Sequence, residues 1–194
     1  MSNPTLQSRR APADGSALED VCRGHFARHR SGDPNALNAL MVAIYPLIHR
    51  FMYRLARASD RDAREDLVQN ALEQVCRSIG GFEGRSRFST FVFAVCHRVA
   101  ARSRRYERVR GWFKRDAEDA CSPQGGAAPD ELLDDARNLA VARAALDRLE
   151  LEERTAFVMH ELEELPLDEI AVALRCSTRT VKRRLRSARA QLLS

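Results

Sequence analysis

The sequence predicts an all-α protein of two helical domains joined by a flexible linker. Three observations carry this. Leu, Ala, Arg and Glu, all good helix formers, dominate the 194 residues, and alternating β-branched runs are absent. Apolar residues recur at three- and four-residue steps over most of the chain, the spacing of one helix face. One stretch, Cys121-Ser122-Pro123-Gln124-Gly125-Gly126-Ala127-Ala128-Pro129, has the composition of a spacer. Hydrophobic residues make up 44% of the chain, enough for a packed core.

The elements follow in order. Residues 1–17 are polar and read as a disordered tail. A helical pattern runs from about Leu18 to His29, and Ser31-Gly32-Asp33-Pro34 breaks it. Gly32 suits a helix end, and Asp33 and Pro34 suit the start of the next. Leu37, Leu40, Met41, Ile44, Ile48, Phe51, Met52 and Leu55 then form one apolar stripe, with Pro46 as a candidate kink. A charged joint, Ser59-Asp60-Arg61-Asp62, leads to a helix with Leu67, Val68, Ala71, Leu72, Val75 and Ile79 inward, stopped by Gly80-Gly81. Phe82 to Phe88 is a short loop. Ser89 or Thr90 is placed to cap a helix carrying Phe91, Val92, Val95 and Val99 inward before it turns basic. The expected domains are 18–115 and 132–194, with 116–131 as the linker. In the second domain Leu139, Ala142, Ala145, Leu146 and Leu149 mark one helix and Thr155 to Leu162 another. Pro166 to Arg175 and Thr178 to Leu193 are the last two.

The net charge is +5 and the isoelectric point about 9.3, which favours a polyanionic partner. Arg and Lys gather in 98–115 and 179–189, while 130–169 is acidic. The five cysteines form no CxxC pair and their number is odd, so reduced thiols are expected. Cys96-His97 lacks a second ligand pair at metal-binding spacing, so no metal and no cofactor is expected. No secretory h-region and no apolar run of membrane-span length is seen, so no membrane insertion and a cytoplasmic location are expected.

Residues 167–185 read as helix-turn-helix. A short helix buries Ile170 and Leu174, Ala171 permits close approach, and Ser177 caps the second helix. Val181, Leu185, Ala188 and Leu192 make the inward stripe of that helix. Arg179, Lys182, Arg183, Arg186 and Arg189 lie on its other face. A major groove admits one helix, and Arg and Lys pair with guanine edges and phosphates.

At these residues the chain resembles the extracytoplasmic-function (ECF) sigma factors of the sigma-70 family. The pattern that ends their −35-reading domain appears as Glu169-Ile170-Ala171, Leu174, Ser177, Thr180-Val181-Lys182, Arg184-Leu185 and Ala188-Arg189. Leu146-Asp147-Arg148-Leu149 and Glu153-Arg154-Thr155-Ala156-Phe157 resemble the first helices of the family's region 4. Asp66-Leu67-Val68-Gln69 resembles the motif that docks on the clamp of the largest polymerase subunit. Phe82, Phe88, Phe91, Val92 and Phe93 match a region 2 segment. Four positions depart from the pattern: Arg175 stands where Gly is frequent, Phe91 for Trp, Arg98 for Asn, and Asn70 for Glu.

The resemblance implies a region 2 bundle and a region 4 helix-turn-helix, with no catalysis of the chain's own. It implies core RNA polymerase (clamp and flap regions) and promoter DNA as partners, with an anti-sigma factor as a possible third. Asp66, Leu67, Gln69 and Asn70 would meet polymerase; Asp66 and Gln69 share a helix face. Phe82, Gly84, Arg85, Ser86, Arg87, Phe88, Ser89, Thr90, His97, Arg98, Arg102 and Arg105 would meet the −10 element. Ser177, Arg179, Thr180, Lys182, Arg183, Arg184, Arg186, Ser187 and Arg189 would meet the −35 element. The physics agrees with these roles. Extruding a base costs a few kcal/mol, which a pocket and a cationic track must offset. Tyr106 and Trp112 have rings able to stack on bases, but read first as packing residues. A free-standing helix-turn-helix regulator accounts for 140–194 but not for Asp66-Leu67-Val68-Gln69 or residues 82–115. A metal-dependent nuclease requires clustered carboxylates, whereas the acids here fall on amphipathic helix surfaces.

Overall fold

A computed structural model describes residues 14–56, 61–114 and 141–193. Helix α1 spans Asp14–Arg30, α2 Ala36–Leu55, α3 Arg61–Ser78 and α4 Phe88–Lys114. A helix over residues 141–148 is α5. Then come α6 (Leu151–Phe157), α7 (Leu167–Ala173) and α8 (Thr178–Leu192). Among the described residues there is no strand. The predicted linker 116–131 lies outside the described residues, as do most of the tail and part of the joint at 59–62.

Most predicted boundaries hold within a few residues, and three differ. Helix α1 begins at Asp14, inside the stretch read as tail, because Asp14 to Ala17 continue the helical turn ahead of Leu18. Helix α4 begins at Phe88, so neither Ser89 nor Thr90 caps it. The Phe91 amide donates to the Arg87 carbonyl at 3.2 Å, which closes the first turn one residue ahead of Phe88. Burial of Phe88 against Phe82, ring centroids 5.2 Å apart, draws that residue into the helix. The helix predicted over Thr155 to Leu162 starts earlier, at Leu151, and its last turn widens into a π-turn over Val158–Leu162. Asp33 does act near the start of α2, where its Oδ1 accepts from the Asn35 amide at 2.9 Å. Pro46 sits inside α2 on an exposed face, where water can satisfy the carbonyl that proline leaves unpaired.

The described residues fall into two compact units, one ending at Ile44 and one starting at Tyr45. In the first, Cys22, Phe26, Ala36, Leu40 and Ile44 are buried. In the second, the later turns of α2 bury Leu47, Ile48, Phe51, Met52 and Leu55. Val68, Ala71 and Val75 of α3 and Val92, Phe93, Val95 and Cys96 of α4 join them. The Phe51 and Phe93 rings pack tilted by 36°, with centroids 4.4 Å apart. A further cluster gathers Leu149, Leu151, Met159, Ile170, Val181, Leu185 and Ala188. Full burial of each Val, Leu, Ile, Phe or Met among them contributes on the order of 1.5–3 kcal/mol.

Candidate nucleic-acid interface

The end of the chain builds a helix-turn-helix from local chemistry. Pro166 is extended and enters α7, whose Ile170, Ala171 and Ala173 are buried. The chain reverses at Arg175, which takes φ +50°, the left-handed region that glycine adopts at little cost. The Cys176 amide donates to the Ala171 carbonyl at 2.9 Å and closes the turn. Ser177 is extended, and its Oγ accepts from the Thr180 amide at 3.2 Å, the N-cap that the sequence predicts.

Helix α8 then carries two faces. Val181, Leu185 and Ala188 are buried, while Arg179, Lys182, Arg183 and Arg186 are exposed. Arg179, Thr180, Lys182, Arg183 and Arg186 line one open concavity of about 430 Å³. The remaining predicted −35 residues are placed differently. Arg189 donates to Glu161 Oε1 from Nε at 3.2 Å and from Nη2 at 2.5 Å. Those hydrogen bonds hold the Glu161 carboxyl below its ordinary range. Arg184 is half-buried, its Nη1 3.6 Å from Cys176 Sγ, and Ser187 is half-buried beside Gln191.

The predicted −10 residues cluster around the start of α4. Gly84 takes φ +74° and turns the loop. Phe82 and Phe88 are buried and brace the loop from below, and neither ring faces solvent. Phe91, predicted inward, is half-buried, 5.1 Å from the Phe82 ring. Arg85 is exposed and pairs with Glu83 at 2.7 Å, and the Ser86 hydroxyl donates to the Arg87 carbonyl at 3.2 Å. Arg87 Nε lies 3.1 Å from Glu169 Oε1, and the Thr90 hydroxyl donates to Glu169 Oε2. Ser89 is half-buried.

His97 lies 3.0 Å through Nδ1 from Thr155 Oγ1. The Thr155 hydroxyl donates to the Leu151 carbonyl at 2.7 Å, so it accepts from His97, which assigns the proton to Nδ1. Burial pushes the His97 pKa down to about 4; Arg184 and Arg98 add to the shift and Glu152 opposes it. The imidazole is therefore neutral at pH 7.

Farther along α4, Arg98, Arg102 and Arg105 are exposed. They line a groove of about 790 Å³ with Leu67, Asn70, Glu73, Gln74 and Arg77 of α3, so predicted polymerase and DNA contacts border one depression. Tyr106 also borders it and is 64% exposed, where the sequence suggests packing. Asp66 and Gln69 are exposed on α3. The side chain of Trp112 lies outside the described set.

Three residues central to this arrangement make contacts that the sequence does not signal: Glu163, Glu169 and Arg154. Glu163 accepts from Arg50 at 2.9 Å and Arg54 at 2.5 Å. Arg154 is 1% exposed and donates to the Leu55 carbonyl at 3.1 Å and Asp147 Oδ1 at 2.7 Å. Arg50 and Arg54 stand 113 and 109 residues from Glu163, and Leu55 stands 99 from Arg154, and no periodicity signals such pairs. Among the described residues no His, Cys, Asp and Glu group is arranged to hold a metal ion, and no helix is long and apolar enough to cross a membrane.

Two family regions match in the order of these elements: sigma-70 region 2 over residues 40–110 and sigma-70 region 4 over residues 139–192. The ECF RNA polymerase sigma factor SigX of Bacillus subtilis is 30% identical over 146 residues, covering 72% of this chain and 74% of SigX. The chain belongs to the ECF sigma factors of the sigma-70 family. The RNA polymerase sigma-H factor of Pseudomonas aeruginosa is 27% identical over 179 residues, covering 84% of this chain and 86% of that protein. The fold matches the sigma factor RpoE of Bartonella quintana, solved in complex with the anti-sigma factor NepR. The TM-score is 0.61 at 23% identity, over 81% of this chain and 94% of RpoE. As a member of this family the chain is an alternative sigma factor that directs RNA polymerase, a regulatory rather than a catalytic protein.

Proposed function

We propose that this sigma factor docks on core RNA polymerase through α3, reads a −35 duplex with α8, and holds a melted −10 strand against the start of α4. The observation that carries the reading is α8: a capped helix with a buried apolar stripe under four exposed cations, Arg179, Lys182, Arg183 and Arg186. That is the geometry a major groove accepts. Asp66 and Gln69 are open on α3, beside a groove that also displays Asn70 and Leu67, and they suit a basic clamp helix. Core polymerase and promoter DNA are the partners. An anti-sigma factor is a further partner of the same kind as NepR is for RpoE. The domains run 18–115 and 132–194, with 116–131 as the spacer between them.

Run-off transcription with core polymerase on a library of candidate promoters tests the reading. Added protein should produce defined transcripts that core enzyme alone does not. Asp66→Arg should abolish those transcripts and co-purification with core polymerase while leaving the helical circular dichroism unchanged. A folded Asp66→Arg protein that binds core normally overturns the α3 assignment. Duplex binding with no polymerase dependence favours a free-standing regulator instead.

A further inference from the structure

A cationic pair lies over one aromatic ring of α2. Arg64, in the first turn of α3, sets its guanidinium carbon 5.1 Å from the centre of the Tyr53 ring. Arg143 of α5 sets its own 5.9 Å from the same centre. The ring attracts each of them, but the two like charges repel one another. Burial lowers the Arg143 pKa, repulsion from Arg64 adds to the shift, and Asp147 and Tyr53 oppose it.

The acids nearby are engaged elsewhere. Glu65 accepts the Tyr53 hydroxyl at 2.8 Å, with His49 Nε2 3.9 Å from the same oxygen. Asp147 pairs with Arg154 at 2.7 Å. Arg64 Nε and Arg143 Nη2 are buried without a hydrogen-bond partner, and such donors are costly to leave unpaired. Arg154 also leaves its Nε unpaired, but its guanidinium has Asp147 and two carbonyls as acceptors. Among the described residues neither Arg64 nor Arg143 has an ion pair with a carboxylate.

The partner that balances such a pair is an oxyanion with more than one charge and several acceptor oxygens. A carboxylate brings a single charge, whereas a phosphate group brings about −1.5 to −2 at pH 7. A guanidinium presents its donors as a planar fork that matches phosphate oxygens. Arg64 also stands at the positive end of the α3 dipole, which favours an anion. Both arginines are half-buried rather than enclosed, so a small ion has access.

We propose that Arg64 and Arg143 together form a binding site for a small phosphate anion, either free phosphate or the phosphates of a nucleotide. Tyr53 backs both forks, and Glu65 fixes the ring through its hydroxyl. The site uses none of the side chains assigned to polymerase or promoter DNA, so it stands apart from those assignments.

Isothermal titration calorimetry of the full chain with orthophosphate, pyrophosphate and ADP, at constant ionic strength in chloride, tests the site. A single saturable event is expected with at least one of the three. Orthophosphate or pyrophosphate binding as tightly as ADP identifies the free anion as ligand; tighter ADP identifies the nucleotide. Arg64→Gln and Arg143→Gln, made singly, should each weaken the event about tenfold or more, as loss of one charge-assisted fork requires. Arg179→Gln with Lys182→Gln, on the exposed face of α8, should leave it unchanged. Circular dichroism checks folding, and if one arginine variant loses helical signal the other decides. If both do, Arg143→Lys keeps the charge and should weaken binding by loss of the fork alone. No saturable heat with any of the three overturns the proposal. Binding that survives Arg64→Gln and Arg143→Gln but is lost with the α8 pair also overturns it, since the phosphate then sits on the DNA-reading helix. A short single-stranded DNA that binds through Arg64 and Arg143 while the three small anions do not overturns it in favour of a nucleic-acid contact.

Discussion

His97 shows how one side chain can be read for both chemistry and stability. Its neighbours from every side are the Thr155 hydroxyl, Glu152, Arg98 and Arg184, and burial holds its pKa near 4, below the ordinary 6.5. The unfolded chain therefore binds a proton between those values that the folded chain refuses. Stability is full above about pH 6.5 and falls as pH drops toward 4, by at most about 3 kcal/mol for a shift of this size. His97→Asn should flatten that slope. Urea midpoints at pH 7.5 and pH 5 check it, and an equal drop in both proteins removes His97 as the source. Arg175 carries a different strain at the same scale. Its left-handed backbone explains why glycine is frequent at this turn, and the chain tolerates arginine there at a cost of about 1 kcal/mol.

At the scale of elements, α8 and the loop before α4 make distinct demands. Lys182, Arg183 and Arg186 share the open face of α8, away from Val181, Leu185 and Ala188. Loss of a bidentate base contact costs about 1–3 kcal/mol at one promoter position, whereas loss of a phosphate contact weakens all sequences alike. At least one of the three alanine substitutions should change promoter preference in a binding selection; three uniform losses would mean that the helix meets only the backbone. The loop is tested by replacing Glu83 to Arg87 with Gly and Ser. Core binding and duplex binding should persist while permanganate reactivity of unpaired thymines disappears. Promoter opening at the normal rate would make the loop a connector only. How far these elements were legible depended on range. The α8 stripe, the Ser177 cap and the α3 face follow from spacing of three and four residues, so local periodicity sufficed. The start of α4 lies two or three residues ahead of the one that a Ser89 or Thr90 cap predicts, because a tertiary contact, Phe88 on Phe82, outweighs the preference of these residues for caps. The sequence marks Arg87 and Thr90 as site residues but Glu169 only as part of the helix-turn-helix, since no local pattern reveals a contact 79 residues away.

At the scale of the whole molecule, the decisive residue is Arg154. Its guanidinium is buried where the end of α2 meets the start of α6. It donates to the carbonyl of Leu55, one of the last four in α2 and so without a partner inside that helix. It also donates to the Leu149 carbonyl at 3.4 Å and pairs with Asp147, whose side chain is 35% exposed. A single charged group thereby ties together segments that are ninety-nine residues apart in sequence. Removing it leaves a buried carbonyl without its donor, at about 1–3 kcal/mol, and strips Asp147 of its counter-charge. Replacement by Met keeps most of the apolar stem and none of the donors, so it isolates the polar contribution from packing. The described residues from Tyr45 onward form one compact unit, and the wild-type chain should unfold there in a single calorimetric transition. Arg154→Met should lower the midpoint and broaden the transition or split it in two, with calorimetric enthalpy exceeding van't Hoff enthalpy. A variant that melts at a lower temperature but in one sharp step would mean that Arg154 stabilises the region 4 helices alone, and that the bond to Leu55 does not couple them to the rest.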